Sequence, residues 1–225
     1  MSQSDRLTIL YADDEDVAVH APGDFAVLAP AWQKIAQGSD GVFGSGPSWT
    51  LASATSDFEA AGARPGHVIQ LRKPTSVFKG AGELFAVEGA VGGSLTIRRV
   101  GMPAGAGAPP APASGLSGVE FVIATLSPQI EEASFDLNRL FAIDPLAPGR
   151  TPSDLHDVRE LRRACVLGVL VRRYAAESRG SDGDFAQKLR QAEAELAEVL
   201  ARLEVRWGSA VDRSSSSIFS TRIVR

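Results

Sequence analysis

Cys165 is the only cysteine of the 225-residue chain, and it lies in the stretch VRELRRACVLGVLVRRYAAES that starts at Val158. A catalytic thiol needs a depressed pKa and, in most cysteine enzymes, a positioned histidine. His20, His67 and His156 are far apart in sequence, and none falls in a cysteine-enzyme motif. Between Ala164 and Val166, Cys165 reads as a small hydrophobe. A second group, Asp13, Asp14, Glu15, Asp16 and Asp24, offers carboxylates to a cation, but the same residues suit a solvated helix start through the helix dipole. Lys79-Gly80-Ala81-Gly82-Glu83 is glycine-rich, yet a phosphate-cradling loop places its glycines before the lysine. Arg72, Lys73, Lys79, Arg98 and Arg99 can form one basic patch; with Glu83 and Glu88 nearby they read as a solvated face. No nucleophile elbow, Walker loop or zinc-protease motif is present in the sequence. The expectation is a non-enzyme with no catalytic, cofactor-binding or metal-binding residues.

Composition agrees with an ordinary globular protein: 44% hydrophobic, 22% charged, formal net charge -4. That balance gives no general reason to bind nucleic acid. No apolar run approaches the roughly 20 residues that a spanning helix needs. The start, MSQSDRLTIL, lacks a basic region followed by a long apolar segment, so no signal peptide is expected. A single cysteine fits a reducing cytoplasm at the site of synthesis.

The elements that must position these residues fall into an α+β pattern. Asp13 to Val19 reads as a short helix broken at Pro22-Gly23. Asp24 can cap a turn holding Phe25 and Leu28, and Pro30 can open a helix through Trp32 to Ile35 and Ala36. GSDGVFGSGPS, from Gly38, reads as a loop. Five β-like runs follow: WTLASA, HVIQLRK, ELFAVEG, SLTIRRV and EFVIAT. Gly92-Gly93 supplies a hairpin turn and Arg64-Pro65-Gly66 another. These predict a small antiparallel barrel or sandwich over residues 38–124, inserted in a helical protein, with a Pro/Gly/Ala-rich loop at 101–118.

From Ser127 the period becomes helical. Ile130, Ala133, Leu137, Leu140 and Phe141 share one face. Thr151-Pro152-Ser153-Asp154 resembles a capping box that opens a helix over 153–179, with Leu161, Cys165 and Val169 inward. Phe185, Leu189, Ala192, Leu196, Val199 and Leu203 form a seam of coiled-coil spacing over 184–207. The expected division is residues 1–37 as N-terminal short helices joining the bundle, 38–124 as the inserted β-domain, 125–208 as the bundle of three C-terminal helices, and 209–225 as an extended arm. In that arm, Ser214 to Ser217 make a joint before Ile218, Phe219, Arg222, Ile223, Val224 and Arg225. Those six residues have the β-propensity and charge to add a strand to a partner, the alternatives being a disordered tail or a strand returning to its own sheet.

Four stretches carry a resemblance: YADDEDV near the start, QIEEASFDLNRLFAID, ELRRACVLGVLVRRYAAES, and EVLARLEVRWG at the end of the last helix. In order and texture this resembles the head–tail connector (adaptor) proteins of tailed bacteriophages, including the Mu-like type. The resemblance covers about residues 9–37 and 125–207; the β-rich insert departs from the short family members. It implies a structural protein of the virion neck, made in the host bacterial cytoplasm. Its N-terminal segment would join a helical bundle. Its partners would be the portal protein, neighbouring copies in a ring of about twelve, and a downstream neck or tail protein. Double-stranded DNA would pass through the ring without sequence-specific binding, and no membrane is involved. The C-terminal arm would reach the portal. The alternative is a non-viral protein- or nucleic-acid-binding module that uses the β-domain and oligomerises through its helices. Composition alone predicts where a protease enters: limited digestion should first nick residues 102–118, whose backbone has little prospect of regular hydrogen bonding. Survival of that stretch while other sites are cut would contradict the division.

Overall fold

A computed structural model describes residues 10–44, 49–78, 82–103, 115–144, 151, 155, 158–178 and 183–205. These residues form an α+β protein with five α-helices and a closed barrel of six antiparallel strands. The helices are α1 (Asp14–His20), α2 (Phe25–Leu28), α3 (Ser127–Leu140), α4 (Arg159–Ser178) and α5 (Asp184–Arg202). The strands are β1 (Lys34–Phe43), β2 (Trp49–Ala52), β3 (Val68–Lys73), β4 (Glu83–Val91), β5 (Ser94–Arg99) and β6 (Val119–Ala124). The chain divides into two compact units, one of residues 13–126 and one of residues 1–12 with 127–225.

In the first unit the barrel order is β1-β2-β5-β4-β3-β6, with β6 returning to β1. All five runs expected as strands are strands, and the choice between barrel and sandwich falls to a closed barrel. The β4–β5 hairpin turns at Gly92-Gly93, where Gly92 has φ +51. Arg64-Pro65-Gly66 turns into β3, and the His67 N–H donates to the Arg64 carbonyl. The sixth strand is a correction. Residues expected as the end of a helix (Ile35, Ala36) and as a loop (from Gly38) form β1, preceded only by a 3-10 turn at Ala31–Gln33. β1 pairs with β6 through Gln37↔Val122, Gly38↔Phe121 and Gly41↔Val119, and with β2 through Val42↔Ala52 and Phe43↔Leu51. Its register shifts between Lys34 and Ala36 and again between Gly38 and Gly41. Such bulges bend a strand enough to help a short sheet close. A Cβ on Gly38 would lie 2.6 Å from the Phe121 ring, and one on Gly41 2.9 Å from the Val119 carbonyl oxygen. Glycine is what lets β6 come this near. Asp40, between them, accepts hydrogen bonds from Ser53 Oγ and from the Ala54 and Thr55 backbone N–H groups, which ties the bulge to the residues after β2.

The barrel is filled by apolar side chains, including Phe43, Trp49, Phe58, Phe78, Phe85 and Phe121. Phe58 packs edge-on to Phe121 with ring centroids 5.3 Å apart, and Phe43 edge-on to Trp49 at 6.0 Å. Phe58 and Phe78 come from connections rather than strands.

Residues 13–37, expected beside the helices, cluster with the barrel, so the units divide at 12/13 and 126/127. α1 starts as expected, with Asp13 and Asp16 in a reciprocal capping box. α2 also forms, but Asp24 makes no side-chain cap to it.

In the second unit α4 packs against both α3 and α5. Every residue from Ala164 to Leu170 is buried. α3 buries Ile130, Ala133 and Leu137, while Leu140 of the expected face is exposed. On α5, Ala192 and Val199 are buried with Leu203 just beyond the helix; Leu189 and Leu196 are half-buried. α4 begins at Arg159 rather than 153 and α5 ends at Arg202 rather than 207. Most of the expected capping box at 151–154, the centre of the 101–118 loop and the arm at 209–225 lie outside the described residues.

Phe121 tests the barrel most simply. Phe121→Ala opens a cavity beside Phe58 and should cost about 3–5 kcal/mol in chemical denaturation. An unchanged midpoint would mean that the ring is not packed as described.

Candidate functional site

The acidic start of α1 forms a built structure rather than the solvated helix start expected from sequence. Asp13 accepts the Asp16 N–H and Asp16 accepts the Asp13 N–H. Glu15 pairs with the Arg98 guanidinium and accepts the Gly101 N–H at 3.1 Å, while its own N–H donates to the Gly66 carbonyl at 3.1 Å. Gly66, at φ +90, is required here: a Cβ would lie 2.9 Å from a carboxylate oxygen of Asp13. Asp14 turns inward and is 2% exposed. Its Oδ1 accepts the Leu126 N–H at 2.7 Å, and its Oδ2 has no hydrogen-bond partner. Burial pushes the Asp14 carboxyl up to about 7; the Leu126 N–H and the Thr125 hydroxyl pull it down, Asp13 raises it and Arg64 lowers it.

Among the described residues of this unit, His67 is the other buried titratable group. Burial, then the nearby Arg64 guanidinium, push its pKa down to about 4. Arg64 Nε lies 3.2 Å from His67 Nε2 and Arg64 N 3.3 Å from Nδ1. A neutral imidazole accepts at only one of these nitrogens, so one contact is not a hydrogen bond. Both Asp14 and His67 are closed to a substrate, which makes them structural groups.

The basic residues expected as one patch are separately engaged. Lys73 pairs with Glu120 at 3.1 Å, Arg98 with Glu15 and Glu88, and Arg99 with Glu83 at 3.3 Å. Arg72 Nε donates to Gln70 Oε1 at 2.8 Å, and Lys79 lies outside the described residues. Residues 13–126 carry seven basic and eleven acidic side chains, against sixteen of each in the remainder. The whole net charge of -4 therefore sits on the barrel unit. Among the described residues, no group of three His, Cys, Asp or Glu is arranged to hold a metal, and no helix is long and apolar enough to cross a membrane.

In the helical unit, Tyr11 fastens the N-terminal segment to α3. Its N–H donates to Ser134 Oγ at 3.2 Å and its hydroxyl to Asn138 Oδ1 at 2.5 Å. Burial, then Cys165, push the Tyr11 phenol up to about 12. Ser134 Oγ lies 3.4 Å from Cys165 Sγ, whose S–H donates to the Ile130 carbonyl at 3.7 Å. Cys165 is fully buried, and its polar neighbours hold it in the core rather than activate it.

Along α4 and α5 runs a groove of ≈ 700 Å³. Leu161, Val199 and Leu203, all buried, form its apolar floor; Glu160, Glu195 and Glu198 stand on its rim with Arg163 and Arg202. Arg163 pairs with Glu195 across the helices at 2.8 Å, and Arg202 with Glu198 at 2.7 Å. The groove thus sets charged side chains, two of them ion-paired to others on its rim, around an apolar floor. The six arm residues singled out from sequence, Ile218, Phe219, Arg222, Ile223, Val224 and Arg225, lie outside the described residues. Sequence reasoning missed Asp14 and Tyr11 as anchors, because nothing in a run of acids or a lone tyrosine marks which side chain faces inward. Compared with models of known families, with curated proteins and with solved structures, the chain matches none of them.

The burial of Cys165 has a direct readout. A water-soluble thiol reagent should leave the native protein unmodified and label it fully in denaturant, and Cys165→Ala should cost about 1–3 kcal/mol through the lost volume and the Ser134 partner. Rapid labelling of the native protein would contradict this packing.

Proposed function

We propose that the chain is a structural neck protein, a head–tail adaptor of a tailed phage or phage-like particle. In this reading its three long helices act as a bundle in a ring beneath the portal. The observation that carries the reading is the fastening of the N-terminal segment to the helical unit through Tyr11, Ser134 and Asn138. The resembling family joins its N-terminal segment to the bundle; here Tyr11 makes that join, while residues 13–37 cluster with the barrel. Two further features support it. α4 is buried from Ala164 to Leu170, as suits the central helix of a bundle. The barrel unit is acidic, with its described strand arginines and two lysines engaged by neighbouring side chains. A wall of that kind passes a DNA duplex without the phosphate contacts that would hold it.

The same acidity weighs against the reading in which the barrel binds nucleic acid. A protein partner for the barrel unit keeps one observation in its favour: Trp32 is 83% exposed, with Val19 and Val27 also exposed nearby in sequence. Exposed tryptophan is a frequent anchor of protein interfaces.

The neck reading places a portal gene and a major capsid gene a few positions upstream of this one. It also places the arm on the portal. Burying Ile218, Phe219, Ile223 and Val224 would contribute roughly 1.5–3 kcal/mol each. Co-expression with the neighbouring portal protein should therefore give a complex with the full chain. Truncation after Trp207 should abolish the complex while leaving the melting temperature nearly unchanged. A full chain that ignores the portal would overturn the neck function; a truncated chain that binds it normally would move the interface to the helices.

A further inference from the structure

The barrel unit enters at Asp13 and ends at Leu126, and one carboxyl joins these two points. Asp14 Oδ1 receives the Leu126 N–H at 2.7 Å, one residue after the start and at the last residue of the unit. We propose that Asp14 is a proton-operated latch: neutral, it holds the first turn of α1 against the end of β6, and ionised, it loosens that seam.

Geometry gives the reason. Ionised carboxylate needs donors at both oxygens, and buried polar atoms left without them are costly. Asp14 has a backbone donor at Oδ1 and none at Oδ2. The groups that face it come from three elements. On α1, the Asp13 carboxylate opposes ionisation; after β6, the Thr125 hydroxyl and Leu126 N–H favour it; in the turn before β3, the Arg64 guanidinium favours it. Arg64 also lies against the neutral ring of His67. Glu15 next door differs, since Arg98 and the Gly101 N–H satisfy its charge. Protonation of Asp14 keeps the Leu126 bond, because a neutral carboxyl oxygen still accepts, and removes the unpartnered charge.

The direction with pH follows by linkage. The folded Asp14 keeps its proton up to about 7, whereas the unfolded one releases it near 3.8. Its stabilising contribution is full below the lower value and is lost as pH rises through about 7. His67 acts in the opposite sense: with its folded value near 4 against 6.5, its contribution is full above the upper value and is lost on acidification. The two slopes offset each other in a global melt, so the latch must be read locally.

The test is residue-resolved hydrogen exchange, expressed as protection relative to the unstructured rate at each pH. In the full chain, protection of the Leu126 and Glu15 amides should fall between pH 5.5 and 8.5, following the carbon-13 titration of the Asp14 carboxyl. Asp14→Asn, which is neutral at every pH, should make that protection independent of pH. Its global melt should then lose the decline toward pH 7 and keep the acid-side loss, to which His67 and Asp40 contribute. Arg64→Gln, which removes a stabilising cation, should move the Asp14 midpoint upward and covers the case in which Asp14→Asn fails to fold. Constant Leu126 protection in the wild-type chain, or an Asp14 carboxyl titrating near 4, overturns the proposal.

Discussion

The described structure of residues 13–126 depends on one constraint: six short antiparallel strands must close with no exposed edge. A two-sided sheet of this size would leave a row of unpaired backbone groups along β1 and β6. Pairing of those two strands removes both edges together. That pairing is possible because β1 carries glycine where β6 comes nearest. Phe121 occupies the space above Gly38, and the Val119 carbonyl lies against Gly41. The bulge between them is held by Asp40. The aromatic filling follows, since only a closed barrel surrounds Phe58 and Phe121 on all sides.

The same glycines explain which part of the fold was legible in the sequence. Strands β2 to β6 alternate or run apolar and end in recognisable turns, so period and turn chemistry identify them. β1, read as KIAQGSDGVF, shows no such period, and its Gly-Ser-Asp-Gly centre has the composition of a loop. Its strand character comes from its neighbours, which is a tertiary cause. The helices were legible in type and imprecise in extent. The seam on α5 was visible as spacing, yet Leu189 and Leu196 are half-buried; among the described residues the main contact of α5 is with α4.

The candidate site was legible only in part. Asp13 to Asp16 look alike in sequence, but one caps, one turns inward, one pairs with Arg98 and one completes the capping box. Asp13 and Asp16 cap each other locally, but the partners of Asp14 and Glu15, Leu126 and Arg98, are distant in sequence, and no local pattern marks those two roles. Tyr11 and Cys165 follow the same rule: each sits in a stretch named for its resemblance to phage connectors, and each is defined by its contact with Ser134 on α3. The electrostatic contrast between the acidic barrel unit and the neutral remainder was hidden in a modest total charge and appears once the unit boundary is known.

If closure by β1 is the organising event, its backbone must be as well held as that of strands the sequence announces. Hydrogen exchange across residues 34–43 reads this directly. The amides of β1 that pair with β6 should be protected to the level of those between β4 and β5. Exchange of the whole segment at the rate of an open loop would contradict the closed barrel, and with it the account of Gly38, Gly41 and the Phe121 core.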